Sequence, residues 1–131
     1  MKTDDIYNTD YINIDGNHIH TTAIINKEMK IEIFITTYNR PEWCLNLLSE
    51  IESEFRKFDY NCRVWHDYNN DKDYSEVKKF CKGKDNFFYY KSKKHFGKSE
   101  FWKFNNLMYA FLDTLKYDYY FQLVDDITLA R

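Results

Sequence analysis

The sequence predicts an α/β fold: a three-layer sandwich with a mostly parallel sheet, preceded by an N-terminal β-hairpin. Three observations predict it. Short runs of apolar, β-branched and aromatic residues alternate with stretches whose apolar residues recur at helical spacing. Each apolar run ends in a polar loop. Hydrophobic residues make up 44% of the 131-residue chain, while Gly and Pro number only 3 and 1, so there is material for a core and no low-complexity character.

The elements follow in order. Residues 1–30 read as an extension: Tyr11-Ile12-Asn13-Ile14 alternates, Asp15-Gly16 is a hairpin turn signal, and His18-Ile19-His20-Thr21 follows. His18 and His20 would share a strand face, but no third metal ligand accompanies them, so they read as surface residues. Ile31 to Thr37 is a buried strand. Pro41 suits a first helical turn, and Cys44, Leu47, Leu48, Ile51, Phe55 and Phe58 then mark one long helical face. Cys62 to His66 is a second strand, and Asp67 to Asp73 a polar turn. Tyr74, Val77 and Cys81 mark a short helix stopped near Gly83. Phe87 to Tyr90 is a third strand. Phe101, Phe104, Met108, Phe111 and Leu115 make another helical stripe, and Tyr119 to Val124 a fourth strand running into Asp125-Asp126. The resulting β-α-β-α-β-α-β order implies parallel pairing and right-handed crossovers.

Bulk properties exclude several classes. The formal net charge is −2, so nothing points to a nucleic-acid or anionic-membrane partner, and none is expected. No apolar stretch approaches the length of a membrane span. Residues 1–20 lack the apolar segment of a signal peptide. The three cysteines, at 44, 62 and 81, form no C-x-x-C pair, which argues against a disulfide framework or structural zinc and suits a reducing, cytoplasmic setting. Neither a dinucleotide fingerprint nor a P-loop occurs, and no motif surrounds a Ser or Cys that would make it a nucleophile.

In parallel sheets ligands sit beyond the carboxyl ends of the strands, so the candidate residues are those just after each run. They are Thr36 to Asn39, His66 to Asp71, the basic loop from Lys91 to Lys98, and Asp125-Asp126. Adjacent carboxylates after an apolar strand repel each other. A hard cation bridging them to phosphate oxygens removes that cost, whereas a solvated turn is the alternative. The basic loop could face a metal-bound diphosphate or simply be solvated. Asp67 to Asp73 spaces its carboxylates like a calcium loop, but Lys72 and Lys78 occupy the places where that motif needs Gly and Glu. His66 and His95 fall in these loops as well.

Together these segments resemble family 2 type glycosyltransferases with the GT-A fold, a Rossmann-like nucleotide-sugar-binding unit. Ile33-Phe34-Ile35-Thr36-Thr37-Tyr38-Asn39-Arg40-Pro41-Glu42 resembles the opening strand and T-x-Y-N-R motif. Val64-Trp65-His66-Asp67-Tyr68-Asn69-Asn70-Asp71 resembles the second strand and its acidic turn. His95-Phe96-Gly97-Lys98 through Asn105-Asn106 resembles the approach to the central helix. Tyr120 to Ile127 resembles the strand carrying the D-x-D metal motif. The likeness covers about residues 31–129.

The resemblance implies roles. Thr36 and Tyr38 would flank the nucleoside, with Tyr38 on the base. Asp67 would accept from the base's imide N–H, which favours UDP. Asp125 would contact ribose or a metal-bound diphosphate, and Asp126 would ligate Mn²⁺ or Mg²⁺, with Asp125 a further candidate ligand. Lys98 would reach the diphosphate or base. His66 and Val124 stand where the family carries acidic residues. The implied activity is that of the donor half of an inverting glycosyltransferase, spanning residues 31–131, acting on a nucleotide-diphospho-sugar and an undefined glycan or protein acceptor. A non-catalytic nucleotide-binding or interaction module on the same fold is the alternative. The family continues beyond the metal motif into an acceptor half bearing the catalytic base. A chain stopping at Arg131 would therefore lack that base and bury its exposed apolar surface as a homo-oligomer.

Overall fold

A computed structural model describes residues 29–68 and 72–125. The expected hairpin, the His18/His20 pair and Asp126 lie outside the described residues.

The described chain runs β1 (Lys30–Thr37), α1 (Pro41–Phe55), β2 (Asp59–His66), α2 (Ser75–Lys82), β3 (Phe87–Lys91), α3 (Gly97–Leu112) and β4 (Tyr119–Val124). All pairings are parallel, in the order β3-β2-β1-β4. The α/β expectation therefore holds.

The sequence explains the layering. Strand residues alternate between faces. Ile31, Ile33 and Ile35 of β1, with Cys62 and Val64 of β2, pack against Leu47, Leu48 and Ile51 of α1 and Val77 and Cys81 of α2. Phe34, on the other face, packs against Phe104, Met108 and Leu112 of α3. The first two connections step β1 to β2 to β3 in one direction. The third returns past β2 and β1 to β1's far side. Crossovers of constant hand must change faces when the direction reverses, and α3 does lie on the opposite face.

Two boundaries differ from the sequence reading. The apolar stripe of α1 continues to Phe58, but the helix ends at Phe55, and the Phe58 amide donates to the Phe55 carbonyl in a turn (2.8 Å). Phe58 instead meets Phe55 edge-on, so it extends the core without extending the helix. β2 begins at Asp59, three residues before Cys62, because Tyr60 is a buried strand residue packed edge-on to Phe87.

One polar pair is buried inside the sheet. Glu32 accepts from Arg63 Nε at 2.9 Å and from Asn61 at 3.1 Å. The Arg63 guanidinium also donates to the Tyr90 hydroxyl and lies over the Phe88 ring at 4.4 Å. Burial opposes the charge on Arg63, but the hydrogen bonds from Glu32 and Tyr90 outweigh it and raise the Arg63 pKa. A central strand can thus carry a carboxylate on its α3 face.

Candidate functional site

The reversal of strand order puts a crevice between β1 and β4, at their carboxyl ends. A cavity of about 520 Å³ occupies it. Thr36, Thr37, Tyr38 and Arg40 line it from the end of β1, Asp67 from β2 and Val124 from β4. His95, Gly97, Lys98 and Phe101 close it from the start of α3. Of the six residues to which the resemblance gives roles, four (Thr36, Tyr38, Asp67 and Lys98) line this one cavity.

The turn after β1 aims these groups. Asn39 has φ 59°, a left-handed conformation that Asn tolerates better than most residues. Its side-chain oxygen accepts from the Lys72 amide at 3.2 Å. Tyr38 stays partly exposed beside the cavity, its ring 4.7 Å from that of His95.

Asp125 is 2% exposed. One carboxylate oxygen accepts from the Thr37 hydroxyl at 2.6 Å, and the other lies 2.9 Å from the Arg40 guanidinium. The Tyr74 hydroxyl lies 2.7 Å from Thr37 Oγ1 and accepts from the Arg40 amide at 3.0 Å. With Thr37 donating to Asp125, Tyr74 must donate to Thr37. The result is a closed circuit from the Arg40 amide through Tyr74 and Thr37 to Asp125 and back to the Arg40 side chain. Burial holds the Tyr74 phenol up at about 12. Burial, with the nearby Asp125 charge, likewise raises the Cys44 thiol to about 12.

Asp67 plays a second anchoring role. Its carboxylate accepts from the backbone amides of Phe96 at 2.7 Å and Gly97 at 3.0 Å, at the first turn of α3. A carboxylate there also suits the positive end of the helix. Gly97 has φ +69°, and a Cβ would come within 3.2 Å of His95 Nε2. Asp67 therefore fixes the loop that carries His95 and Lys98 over the cavity. Its oxygens retain lone pairs for a further donor from a ligand.

Two placements differ from the sequence reading. His66 is the last residue of β2, not a loop residue, and is buried against the Tyr74 ring at 3.8 Å with Nδ1 2.6 Å from the Tyr89 hydroxyl. Asp125 faces its own circuit and does not line the cavity. A metal site does not assemble from the described residues: no group of three His, Cys, Asp or Glu comes together among them, and Asp125 faces Thr37 and Arg40 rather than another ligand. Arg40 and Tyr74 were not singled out from the sequence. Besides its place in the T-x-Y-N-R motif, the signal for Arg40 was a cation just before a helix N-terminus, an unfavourable place unless a carboxylate answers it.

No helix among the described residues is long and apolar enough to cross a membrane. Neither the models of known protein families nor the curated proteins give a match to this chain.

Proposed function

We propose that this crevice binds the nucleoside diphosphate part of a nucleotide-sugar, and that the chain is the donor-binding unit of an inverting glycosyltransferase using a UDP-linked donor. The observation that carries the reading is the convergence of an exposed aromatic ring, a carboxylate and two cationic side chains on one cavity at the reversal of strand order. Tyr38 offers a face for the base. Asp67 accepts from an imide N–H. Arg40 and Lys98 supply positive charge for the diphosphate, the group that leaves when the sugar is transferred. Asp125 orients Arg40 without touching the ligand. A divalent cation enters this reading only through Asp126, the next residue in the chain. The acceptor is a glycan or protein of undefined class.

One observation favours the second reading, a binding module without catalysis. Both carboxylates at the crevice, Asp67 and Asp125, are held by donors of the chain itself, so among the described residues neither stands ready as a general base.

Amide chemical-shift mapping with UDP tests the proposal. Saturable shifts at Thr36 to Tyr38, Asp67 and His95 to Phe101 are expected. Their absence at millimolar UDP would remove it. Transfer or hydrolysis of a UDP-sugar would then separate enzyme from module.

A further inference from the structure

A second cavity, of about 240 Å³, lies behind the crevice on the α1/α2 side of the sheet. It opens where the ends of β2 and β3 meet the start of α2. Its position follows from the strand register. His66 pairs with Lys91 across the two strands, so both side chains leave the same face. The Ser92 amide donates to the His66 carbonyl at 3.0 Å, and the Tyr68 amide to the Ser92 hydroxyl at 3.0 Å, which locks the two strand ends together. Lys78 lies one helical turn beyond Tyr74 and joins the same cavity, as does Lys72 from the loop before α2.

Among the described residues the lining therefore carries three ammonium groups, from Lys72, Lys78 and Lys91, and one carboxylate, from Asp73. That carboxylate is committed: its oxygens accept from the Ser75 amide at 2.9 Å and the Ser75 hydroxyl at 3.0 Å. Other lysines of the chain do have acidic partners, Lys84 with Glu52, and Lys94 and Lys103 with Glu100. None of the ion pairs among the described residues involves Lys72, Lys78 or Lys91. Three exposed lysines line one small concavity, with Lys91 Nζ 4.2 Å from the Tyr68 ring, and a bound anion offsets the mutual repulsion of their charges. The walls are hydroxylated aromatics, Tyr68, Tyr74 and Tyr89, while the three lysines stay exposed.

We infer that this cavity is a second anion site, separate from the crevice, that takes a phosphate or diphosphate group, either free or carried on a small molecule. Its size, about 240 Å³, suits such a group. The site does not depend on the crevice being a nucleotide site. The two are nevertheless joined through Tyr74, whose ring lines this cavity and whose hydroxyl belongs to the Asp125 circuit.

The test is a titration of the full chain with inorganic pyrophosphate, then inorganic phosphate, followed by amide shifts at constant ionic strength. Saturable shifts at Lys72, Tyr74 to Lys78 and Lys91 are expected. They should weaken at least tenfold in the Lys78→Gln/Lys91→Gln double variant and persist in Lys98→Gln. These surface substitutions should leave the fold intact, which circular dichroism verifies. Tighter binding of pyrophosphate would point to a diphosphate-bearing ligand, and equal binding to a single phosphate group. Shifts that chloride reproduces, or that survive in the double variant, would overturn the inference.

Discussion

The Arg40 guanidinium lies 2.9 Å from a carboxylate oxygen of Asp125, which brings the end of β1 and the end of β4 together across the mouth of the crevice. Asp125 is buried and Arg40 is half exposed, so the pair is a charged hinge pin between a fixed anion and a reachable cation. Truncating Arg40 leaves the buried Asp125 carboxylate without its ion pair, and truncating Asp125 leaves the buried Thr37 hydroxyl without its acceptor, losses of about 1–3 kcal/mol. Asp125→Ala should cost more than Arg40→Ala, because it also strips the acceptor from Thr37. Denaturant unfolding of both single variants and the double variant checks this. The cycle should give a coupling of about 0.5–3 kcal/mol. Strict additivity would mean that the pair does no energetic work.

Glu32 and Arg63 give a sharper contrast. Removing one member of a buried ion pair strands the other, at about 3–5 kcal/mol, whereas replacing both with apolar residues is often neutral. Glu32→Leu alone should therefore strongly destabilise the domain. Glu32→Leu/Arg63→Met should recover most of the loss, since Arg63 already lies among Phe88, Phe111 and Tyr90. Melting temperatures decide it, and a double variant no better than the single one would contradict this view of the pair.

Much of the fold was legible because β-branched and aromatic runs and helical stripes speak for single elements, as Ile31 to Thr37 and Phe104-Met108 do. Phe58 misled because periodicity records which residues are buried, not where the backbone stops being helical. The site was legible only at strand ends. Thr36, Tyr38, Asp67 and Lys98 could be chosen because parallel topology sends every β-to-α loop to one edge. The partners of Asp67 and Asp125 could not be chosen. The Gly97 amide, Thr37 and Arg40 are distant in sequence from those carboxylates, and only the register of four strands brings them together.

Alkaline conditions should destabilise the protein through groups that stay protonated when folded. The Cys44 thiol and Tyr74 phenol titrate ordinarily at 9.0 and 10.0 but are held up to about 12 in the fold, chiefly by burial. Between the ordinary and raised values the unfolded chain loses protons that the folded chain keeps, so stability falls as pH rises. The melting temperature should drop progressively above about pH 9, and Tyr74→Phe should remove part of that drop. The same burial predicts that Cys44, Cys62 and Cys81 resist alkylation until the protein unfolds. Rapid labelling of the native state would contradict it.

Gly97→Ala tests the loop that Asp67 anchors. At φ +69° a Cβ costs about 1–2 kcal/mol. It would also press on His95. The variant should melt lower and hold Lys98 less firmly, weakening UDP more than its loss of stability alone would. A variant that melts lower but binds UDP like the parent would separate loop geometry from binding.

Any dependence on Mn²⁺ should follow Asp126. Asp125 is committed to Thr37 and Arg40, so Asp126→Ala should erase the strengthening of UDP binding by Mn²⁺ while leaving metal-free binding intact. Equal UDP affinity with and without Mn²⁺ in the parent would take the cation out of the proposal.

The most direct measurement is calorimetric titration of UDP into the parent chain, Tyr38→Ala and Lys98→Ala. The account predicts one saturable site in the parent. Lys98→Ala should weaken it roughly tenfold to a hundredfold, since a bond to a charged group is worth about 1.5–3 kcal/mol. Tyr38→Ala should weaken uridine as well as UDP, because the ring would meet the base, whereas Lys98→Ala should spare uridine. No saturable heat at millimolar UDP, or the same affinity in all three proteins, would contradict a nucleotide site between β1 and β4.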